Sequence, residues 1–372
     1  RRRDAGFLTP ADQRPSVAVT KVTPSEPLVT RAVPEPPFAH ATPSTTAVAG
    51  RLLPPASEAD AMSDSSTVGI HDSVTDVFPA PVFRDELADA APDVRIVSDG
   101  DALAPCDALV TFRYEDRFLS ADLDWIHSIQ AGVDRFPFDA LRERGITLTN
   151  STGIHGDVVG ETAVGLMLAF ARRLHVHRSN QERGEWVKPA WDDAFPLRRE
   201  SACVVGLGTL GRGIATRASA LGMDVTGVKR TPVPVDGVDR VSPPERLHEA
   251  VADARFVALA VPLTDDTEGM MSTAEFGAMR DDAYLINVAR GPVVDQAALV
   301  DALDAGELAG AGLDVFEAEP LPEDSTLWNR EEVIVTPHAA GFNDEYYERV
   351  ATIVRENLRR FDAGESLTNR VV

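Results

Sequence analysis

The chain has 372 residues, 44% of them hydrophobic, and a formal net charge of −23, so it can bury a large core and is predicted to form two domains. The acidic excess argues against nucleic acids and anionic membranes as partners. No apolar run approaches the roughly 18 residues of a membrane span, since the run Ala163–Ala171 is short and has a helical pattern.

The first 61 residues differ from the rest of the chain. They hold ten of the 26 prolines, carry a net charge of +1 and show no regular apolar periodicity. A positively charged start without a following apolar segment is not typical of an export signal. We interpret 1–61 as a disordered leader or a mis-assigned start, with Met62 as the physiological first residue and no function in the leader.

Lysine and cysteine are both rare. Lysine occurs only at Lys21, Lys188 and Lys229, whereas acidic residues number 59. Lysine depletion together with acidity favours a cytoplasmic protein of a salt-rich cell over an ordinary acidic protein. The two cysteines, Cys106 and Cys203, form neither a disulfide framework nor a metal-ligand pattern, so no metal is expected.

From Ser66 onward, apolar runs alternate with helical patterns. The predicted strands lie in VGIHDSV, VRIVSDG, DALVTF, ACVVGLG, DVTGV, FVALAVP, AYLINVA, AGLDVF and VIVTPHAA. The predicted helices are Asp157–Arg173, Arg212–Leu221, Ala274–Met279 and Asp295–Ala305. Continuous apolar runs are typical of strands buried on both faces, and their alternation with helices predicts an α/β fold with doubly wound parallel sheets.

A glycine-rich turn follows the run CVV. It reads Gly206-Leu207-Gly208-Thr209-Leu210-Gly211 and opens a predicted helix. Glycines at these positions permit a tight turn and a close approach of the backbone to a pyrophosphate, which the helix N-terminus stabilises. Because a strand precedes the turn and a second strand follows at the right distance, this pattern predicts a dinucleotide site rather than a structural turn.

The second strand of that half ends in Lys229, Arg230 and Thr231. This is the position at which NAD-selective proteins place an acidic residue for the ribose 2′-hydroxyl. Two cations and a hydroxyl suit a 2′-phosphate instead. We therefore expect a preference for NADP(H), with residual use of NAD(H).

Four chemically active residues follow later strands. Arg290 comes after LINVA, Asp314 and Glu319 lie in AGLDVFEAEP, and His338 follows VIVTP. In a parallel sheet these strand ends meet at one crevice. An arginine can hold a carboxylate and polarise a carbonyl, and an imidazole oriented by an acid can exchange a proton with the substrate oxygen.

With these motifs the sequence resembles the D-isomer-specific 2-hydroxyacid dehydrogenases. The resemblance covers about residues 66–368 and rests on GLGTLGRGIA, VPLTDDTEGMM, INVARGPVVD, LDVFEAEPLP and VTPHAAG, in family order. It implies two Rossmann-like domains with a cleft between them. The substrate domain would comprise residues 62–151 plus 341–372, and the dinucleotide-binding domain residues 152–340. It also implies a homodimer with the helix 157–173 in the interface.

The resemblance further implies roles for individual residues. Arg290 would bind the substrate carboxylate and carbonyl, and His338 would be the general acid and base with Glu319 as its partner. Asp314 would hold the nicotinamide carboxamide. The other expected cofactor contacts are Val261, Pro262, Thr267, Val288 and Ala289. The substrate carboxylate would also meet the backbone amides of Ala131 and Gly132, while Arg113 and Tyr114 would shape the side-chain pocket.

The implied reaction is the reversible NAD(P)H-dependent reduction of a 2-ketoacid to a D-2-hydroxyacid, with a narrower alternative of glyoxylate or hydroxypyruvate reduction. A formate dehydrogenase is disfavoured, because that pattern pairs glutamine, not Glu319, with the histidine. An alternative of another class is a dinucleotide-sensing corepressor on the same fold, which could retain all of these residues. Turnover of any ketoacid would distinguish the enzyme from the sensor.

Overall fold

The structure is a computed structural model that describes residues 66–91, 93–98, 103 and 106–372, so the predicted leader 1–61 lies outside the described residues. The first sheet contains β1 (Thr67–His71), β2 (Asp93–Val97), β3 (Ala108–Thr111), β4 (Trp125–Ser128) and β5 (Thr147–Asn150). Its strands are parallel and lie in the order β2-β1-β3-β4-β5. The end of the chain extends this sheet, since the Val371 N–H donates to the Leu148 carbonyl at 2.8 Å.

The second sheet has seven strands in the described part of the chain. They are β6 (Ser201–Val205), β7 (Asp224–Val228), β8 (Arg240–Ser242), β9 (Phe256–Leu259), β10 (Tyr284–Asn287), β11 (Gly310–Leu313) and β12 (Val333–Val335). All neighbours are parallel, in the order β12-β11-β10-β9-β6-β7-β8. The strand order reverses between β6 and β9, and such a switch point opens a ligand crevice at the carboxyl ends of the strands.

Helices cover both sheets. They are α1 (Ala80–Leu87), α2 (Phe138–Arg144), α3 (Gly156–Ala171), α4 (Leu174–Arg183), α5 (Thr209–Ala220), α6 (Leu247–Val251), α7 (Thr273–Ala278), α8 (Gln296–Ala305) and α9 (Tyr346–Asp362). The prediction of a doubly wound α/β fold with parallel sheets is confirmed. The helices α1, α2, α4 and α6 were not predicted. The sequence of α4, LHVHRSNQER, buries only Asn180 and so has no apolar stripe.

The last helix packs on the first sheet, although about 195 residues of chain separate them along the sequence. Its buried residues Tyr346, Val350 and Val354 share one apolar core with Val68 and Trp125. Beside the second sheet, the helices α3 and α5 pack closely against each other at glycine residues. A Cβ on Gly213 would lie 1.6 Å from the Gly156 carbonyl oxygen, so side chains there would force the helices apart. No described helix is both long and apolar enough to cross a membrane.

Candidate active site

A cavity of about 710 Å³ lies at the carboxyl edges of the two sheets, within the usual size range of small-molecule sites. Nine of the residues expected at the site line it: Arg113, Ala131, Gly132, Leu210, Val288, Arg290, Asp314, Glu319 and His338. Leu210 lies in α5, and the others lie in loops that follow strands of both sheets. The cavity therefore lies between the two halves, with chemically active side chains on both of its walls.

The glycine-rich turn has the backbone that its sequence predicts. Gly206 has a positive φ of 95°, and a Cβ there would lie 2.5 Å from the Ala260 carbonyl oxygen. A Cβ on Gly211 would lie only 1.7 Å from the Gly206 carbonyl oxygen. Gly208 precedes α5, which begins at Thr209. The turn thus requires glycine twice, and it delivers the unpaired N–H groups of a helix start to the crevice.

Lys229 and Arg230 lie directly beside this turn. The Gly206 N–H donates to the Val228 carbonyl at 2.9 Å, which joins the turn to the end of β7. The Lys229 side chain is half-buried, whereas those of Arg230 and Thr231 are exposed. Among the described residues, neither cation makes a side-chain hydrogen bond or ion pair. Both remain available to an anionic group at the end of this strand.

The segment after β9 forms the neighbouring wall of the turn. The Val261 side chain lies 2.8 Å from the position of a Cβ on Gly206. The Thr267 hydroxyl donates to the Pro262 carbonyl at 2.6 Å and accepts the Thr264 N–H at 2.8 Å. Thr267 therefore fixes the shape of this loop. Val261, Pro262 and Thr267 do not line the cavity that contains Arg290 and His338.

Arg290 lies in a turn held by the buried residue Asn287. The Asn287 amide accepts the Ala289 N–H at 3.1 Å and donates to the Arg290 carbonyl at 3.0 Å. The guanidinium donates to the Ala289 carbonyl at 2.8 Å and then passes over Gly132. A Cβ on Gly132 would lie 1.4 Å from Arg290 Nη2. Only glycine at position 132 leaves room for this arginine.

The backbone near Gly132 offers hydrogen-bond donors to the same space. Within the described residues, the N–H groups of Ala131 and Gly132 donate to no protein acceptor. Asn150 donates from its side-chain amide to the Ala131 carbonyl at 2.6 Å and so fixes the loop from below. Two amides and a guanidinium converging on one small region form an arrangement suited to a carboxylate.

His338 and Glu319 form a hydrogen-bonded pair at the cavity. His338 Nδ1 lies 2.8 Å from Glu319 Oε2, and Glu319 Oε1 accepts the Phe316 N–H at 3.1 Å. Burial raises the pKa of the Glu319 carboxyl, but the hydrogen bond and charge of His338, with the Phe316 N–H and the Arg135 charge, together leave that pKa below its usual value. Nε2 is the imidazole nitrogen left available to the cavity.

Asp314 organises the turn that carries His338. Its carboxylate, buried at the end of β11, accepts the Thr336 hydroxyl at 2.5 Å and the N–H groups of Ala339 and Ala340 at 2.9 and 3.0 Å. His338 itself has a positive φ of 52°, a conformation uncommon for residues other than glycine. The bonds from Asp314 hold that conformation, a contribution that the sequence pattern did not suggest.

Of the two residues expected to shape the side-chain pocket, Arg113 lines the cavity and Tyr114 does not. The Tyr114 ring packs instead against Phe118 and Phe136. Two further residues reach the site from the loop after β4. Asp134 and Arg135, which follow QAGV, contact Arg290 and Glu319. The only sequence signal for them was their position just after the expected site residues Ala131 and Gly132.

These observations fit a bound dinucleotide. The turn cannot hold a Cβ at Gly206 or Gly211, and beside it lie helix N–H groups and two cations that have no partner within the part of the chain that the structure describes. At the end of this crevice an arginine, a carboxylate and a histidine share one cavity. Fold and site together define a dinucleotide-dependent oxidoreductase.

Comparison with known proteins identifies the family. Residues 164–340 match the model of the D-isomer specific 2-hydroxyacid dehydrogenase NAD-binding domain. A glyoxylate reductase of Korarchaeum cryptofilum is 34% identical over 307 residues, which are 79% of this chain and 90% of that protein.

Solved structures agree with this assignment. A D-isomer specific 2-hydroxyacid dehydrogenase from Xanthobacter autotrophicus, in complex with NADPH and MES, has a TM-score of 0.72 and 30% identity, covering 83% of this chain and 98% of that one. An NADPH-dependent glyoxylate/hydroxypyruvate reductase from Sinorhizobium meliloti has a TM-score of 0.69 and 25% identity, covering 82% and 98%.

The chain belongs to the D-isomer-specific 2-hydroxyacid dehydrogenase family, as its motifs indicated. It is an oxidoreductase that uses a nicotinamide dinucleotide and interconverts 2-ketoacids and 2-hydroxyacids.

Proposed function

We propose that the protein reduces a small 2-ketoacid to the D-2-hydroxyacid, with Arg290, Glu319 and His338 as the catalytic residues. The observation that carries this proposal is the convergence on one cavity of the His338–Glu319 pair, at 2.8 Å, and of Arg290 lying over Gly132. A carboxylate site beside a positioned proton donor is what reduction of a carbonyl next to a carboxylate requires.

Each residue of the site has a separate role in this reaction. The substrate carboxylate binds the guanidinium of Arg290 and the amides of Ala131 and Gly132, which places the ketone beside His338. The dinucleotide supplies the hydride to C2 when bound. Protonated His338 donates from Nε2 to the substrate oxygen, and Glu319 stabilises the charged imidazole and fixes its orientation. In the reverse direction neutral His338 accepts the hydroxyl proton.

The remaining residues would hold the cofactor. The pyrophosphate belongs at the turn of Gly206, Gly208, Thr209, Leu210 and Gly211. Val261, Pro262, Val288, Ala289 and Asp314 would contact the nucleoside and nicotinamide portions, and Thr267 supports them through its bond to Pro262. Lys229, Arg230 and Thr231 would meet the ribose 2′ position. Because the two cations have no protein partner among the described residues, we propose a preference for NADP(H) over NAD(H).

Substituting these cations is expected to reverse the preference. In Lys229→Asp/Arg230→Ala, kcat/KM for NADPH relative to NADH should fall about 10²-fold or more, since each of the two lost charge-assisted hydrogen bonds contributes roughly 1.5–3 kcal/mol. Steady-state kinetics with both cofactors measures the ratio. Arg84→Asp/Arg142→Ala, an equal charge change at exposed ion pairs, is the control. An unchanged ratio in the first variant would contradict the 2′-phosphate assignment.

The relatives named glyoxylate reductase and glyoxylate/hydroxypyruvate reductase support a small ketoacid as the substrate of this chain. A steady-state panel of glyoxylate, hydroxypyruvate, pyruvate and branched 2-ketoacids, at low and multimolar salt, tests this directly. Dinucleotide binding without turnover of any ketoacid would instead favour the sensor alternative. The proposed substrate domain is 62–151 plus 341–372, and the proposed dinucleotide domain is 152–340.

We also propose a homodimer. The helix α3, expected in its interface, leaves Leu168 partly exposed, and the segment 184–200 beyond α4 exposes Trp186 and Trp191 by 95% and 94%. Two exposed indoles on one segment are typical of an interaction surface. Trp186→Ser/Trp191→Ser should therefore reduce the mass measured by light scattering from a dimer to a monomer. Leu221→Ser, at another exposed apolar residue, should not change it; a monomeric wild type would disprove the dimer.

A further inference from the structure

Two consecutive residues of opposite charge cross the cleft and contact two of the proposed catalytic residues. Asp134 and Arg135 lie in the loop after β4, in the first sheet. Asp134 Oδ1 lies 3.3 Å from Arg290 Nε, and Arg135 Nη2 lies 3.8 Å from Glu319 Oε2. Both partners lie in loops of the second sheet. Asp134, Arg135 and Arg290 line a small recess together with Gln130, Gly132 and His338.

From this arrangement we propose that Asp134 and Arg135 form a charge clasp that links the closed cleft to proton transfer at His338. The clasp consists of the pairs Asp134–Arg290 and Arg135–Glu319. Both residues are positioning residues, since neither is assigned a contact with the reacting atoms. The proposal rests on the roles proposed above for Glu319 and His338.

The first consequence concerns the Glu319 carboxylate. Its Oε2 atom faces both His338 Nδ1, at 2.8 Å, and the Arg135 guanidinium, at 3.8 Å. A carboxylate favours the charged form of a neighbouring imidazole, and a cation beside the same oxygen weakens that effect. With the clasp formed, Glu319 holds the imidazole proton less strongly. Separation of the two loops would remove Arg135 and strengthen the hold.

The second consequence concerns Arg290. Asp134 holds its guanidinium in the cleft through the bond at Nε, while Nη1 donates to the Ala289 carbonyl. Because residues 134 and 135 are adjacent, both cross-cleft pairs must form and separate together. Cleft closure therefore fixes the carboxylate-binding arginine and loosens the proton on His338 in the same step. Before closure, the stronger hold of Glu319 would keep the proton on the imidazole until the substrate is enclosed.

The clasp is electrically neutral, so its effect is local. The charged and titratable groups that face the His338 region of the cavity are Glu319, Arg290, Asp134 and Arg135, with Asp314 behind the turn and Asp76, Arg113, His155 and Tyr346 elsewhere in the lining. Among the described residues, Arg135 is the only arginine or lysine that forms an ion pair with Glu319, and it has no other ion-pair partner there. Removal of Arg135 should therefore raise the pH at which His338 loses its proton.

The test compares Arg135→Gln, Arg135→Lys and Asp134→Asn. Loss of a cation favours the protonated imidazole, so in Arg135→Gln the alkaline limb of the pH profile of ketoacid reduction should move up by about half a pH unit. Arg135→Lys should stay near the wild type. Asp134→Asn removes an anion and should move the limb down, and Asp134→Asn/Arg135→Gln should return it toward the wild type. Arg142→Gln, at the exposed pair with Asp139, is the matched control.

A second readout does not depend on turnover. In protein carrying ¹³C-labelled histidine, the pH midpoint of the His338 signal, assigned with His338→Gln, should move in the same directions. An unmoved midpoint in a folded Arg135→Gln protein would overturn the clasp, even if the wild type reduces ketoacids normally. So would an increase in KM for every ketoacid at an unchanged midpoint, because Arg135 would then bind substrate directly. A wild type without turnover but with the expected shifts would overturn only the proposed function.

Discussion

Replacing His338 with alanine is expected to lower the turnover number for ketoacid reduction by about 10²–10⁴-fold, the usual contribution of a general acid. The reason is that Nε2 is the only imidazole nitrogen left available to the cavity, since Nδ1 bonds Glu319. KM for the ketoacid should change far less, because Arg290 and the amides of Ala131 and Gly132 remain. Steady-state kinetics at saturating cofactor separates the two effects.

A matched histidine provides the control. His248 forms a similar pair with Glu275, Nε2 to Oε1 at 2.7 Å, but it is exposed and does not line the cavity. His248→Ala should therefore keep wild-type turnover. Glu319→Gln should lower turnover and move the alkaline limb of the reduction profile to lower pH, since a carboxylate that favours the charged imidazole is lost. Near wild-type turnover in His338→Ala would refute its role.

The second large effect is expected at Arg290. Its guanidinium is placed both to bind the substrate carboxylate and to stabilise negative charge developing on the carbonyl oxygen. Arg290→Ala should therefore lower kcat/KM by about 10²–10³-fold or more, through both a higher KM and a lower kcat. Arg290→Lys should recover only part of the loss, because an ammonium keeps the charge but not the planar fork of donors.

A variant at Gly132 tests the position of the Arg290 guanidinium without replacing the arginine itself. A Cβ at this position would lie 1.4 Å from Arg290 Nη2, so Gly132→Ala should displace the guanidinium and raise KM for the ketoacid. Gly277→Ala is a suitable control, since a Cβ there meets no atom within 4 Å. If Gly132→Ala leaves KM unchanged, the guanidinium is not the carboxylate ligand in this position.

Much of the fold followed from local pattern. Runs such as FVAL and YLIN are buried at every position in β9 and β10, and only a sheet covered on both faces gives such runs. The predicted helix Asp157–Arg173 differs from α3 by two residues or fewer at each end. The helix α4 and the exposed segment 184–200 beyond it were not predicted. A polar helix and an irregular segment with isolated tryptophans lack the apolar periodicity from which secondary structure is predicted.

The candidate site was likewise predicted from the sequence only in part. The glycine-rich turn, Arg290, Glu319 and His338 were recognised because each follows a strand in a motif of fixed spacing. The second role of Asp314, as the acceptor for the turn at His338, was not recognised. Nor was the contact of Asp134 with Arg290, which joins residues 156 positions apart.

By itself, the sequence determined the parallel α/β architecture and the dinucleotide turn and singled out the candidate catalytic side chains, because burial periodicity and backbone requirements act over a few neighbouring residues. The tertiary structure alone decided which charges meet across the cleft. A separation of 3.3 or 3.8 Å between loops of two different sheets depends on how those sheets pack, and no short stretch of sequence encodes that distance.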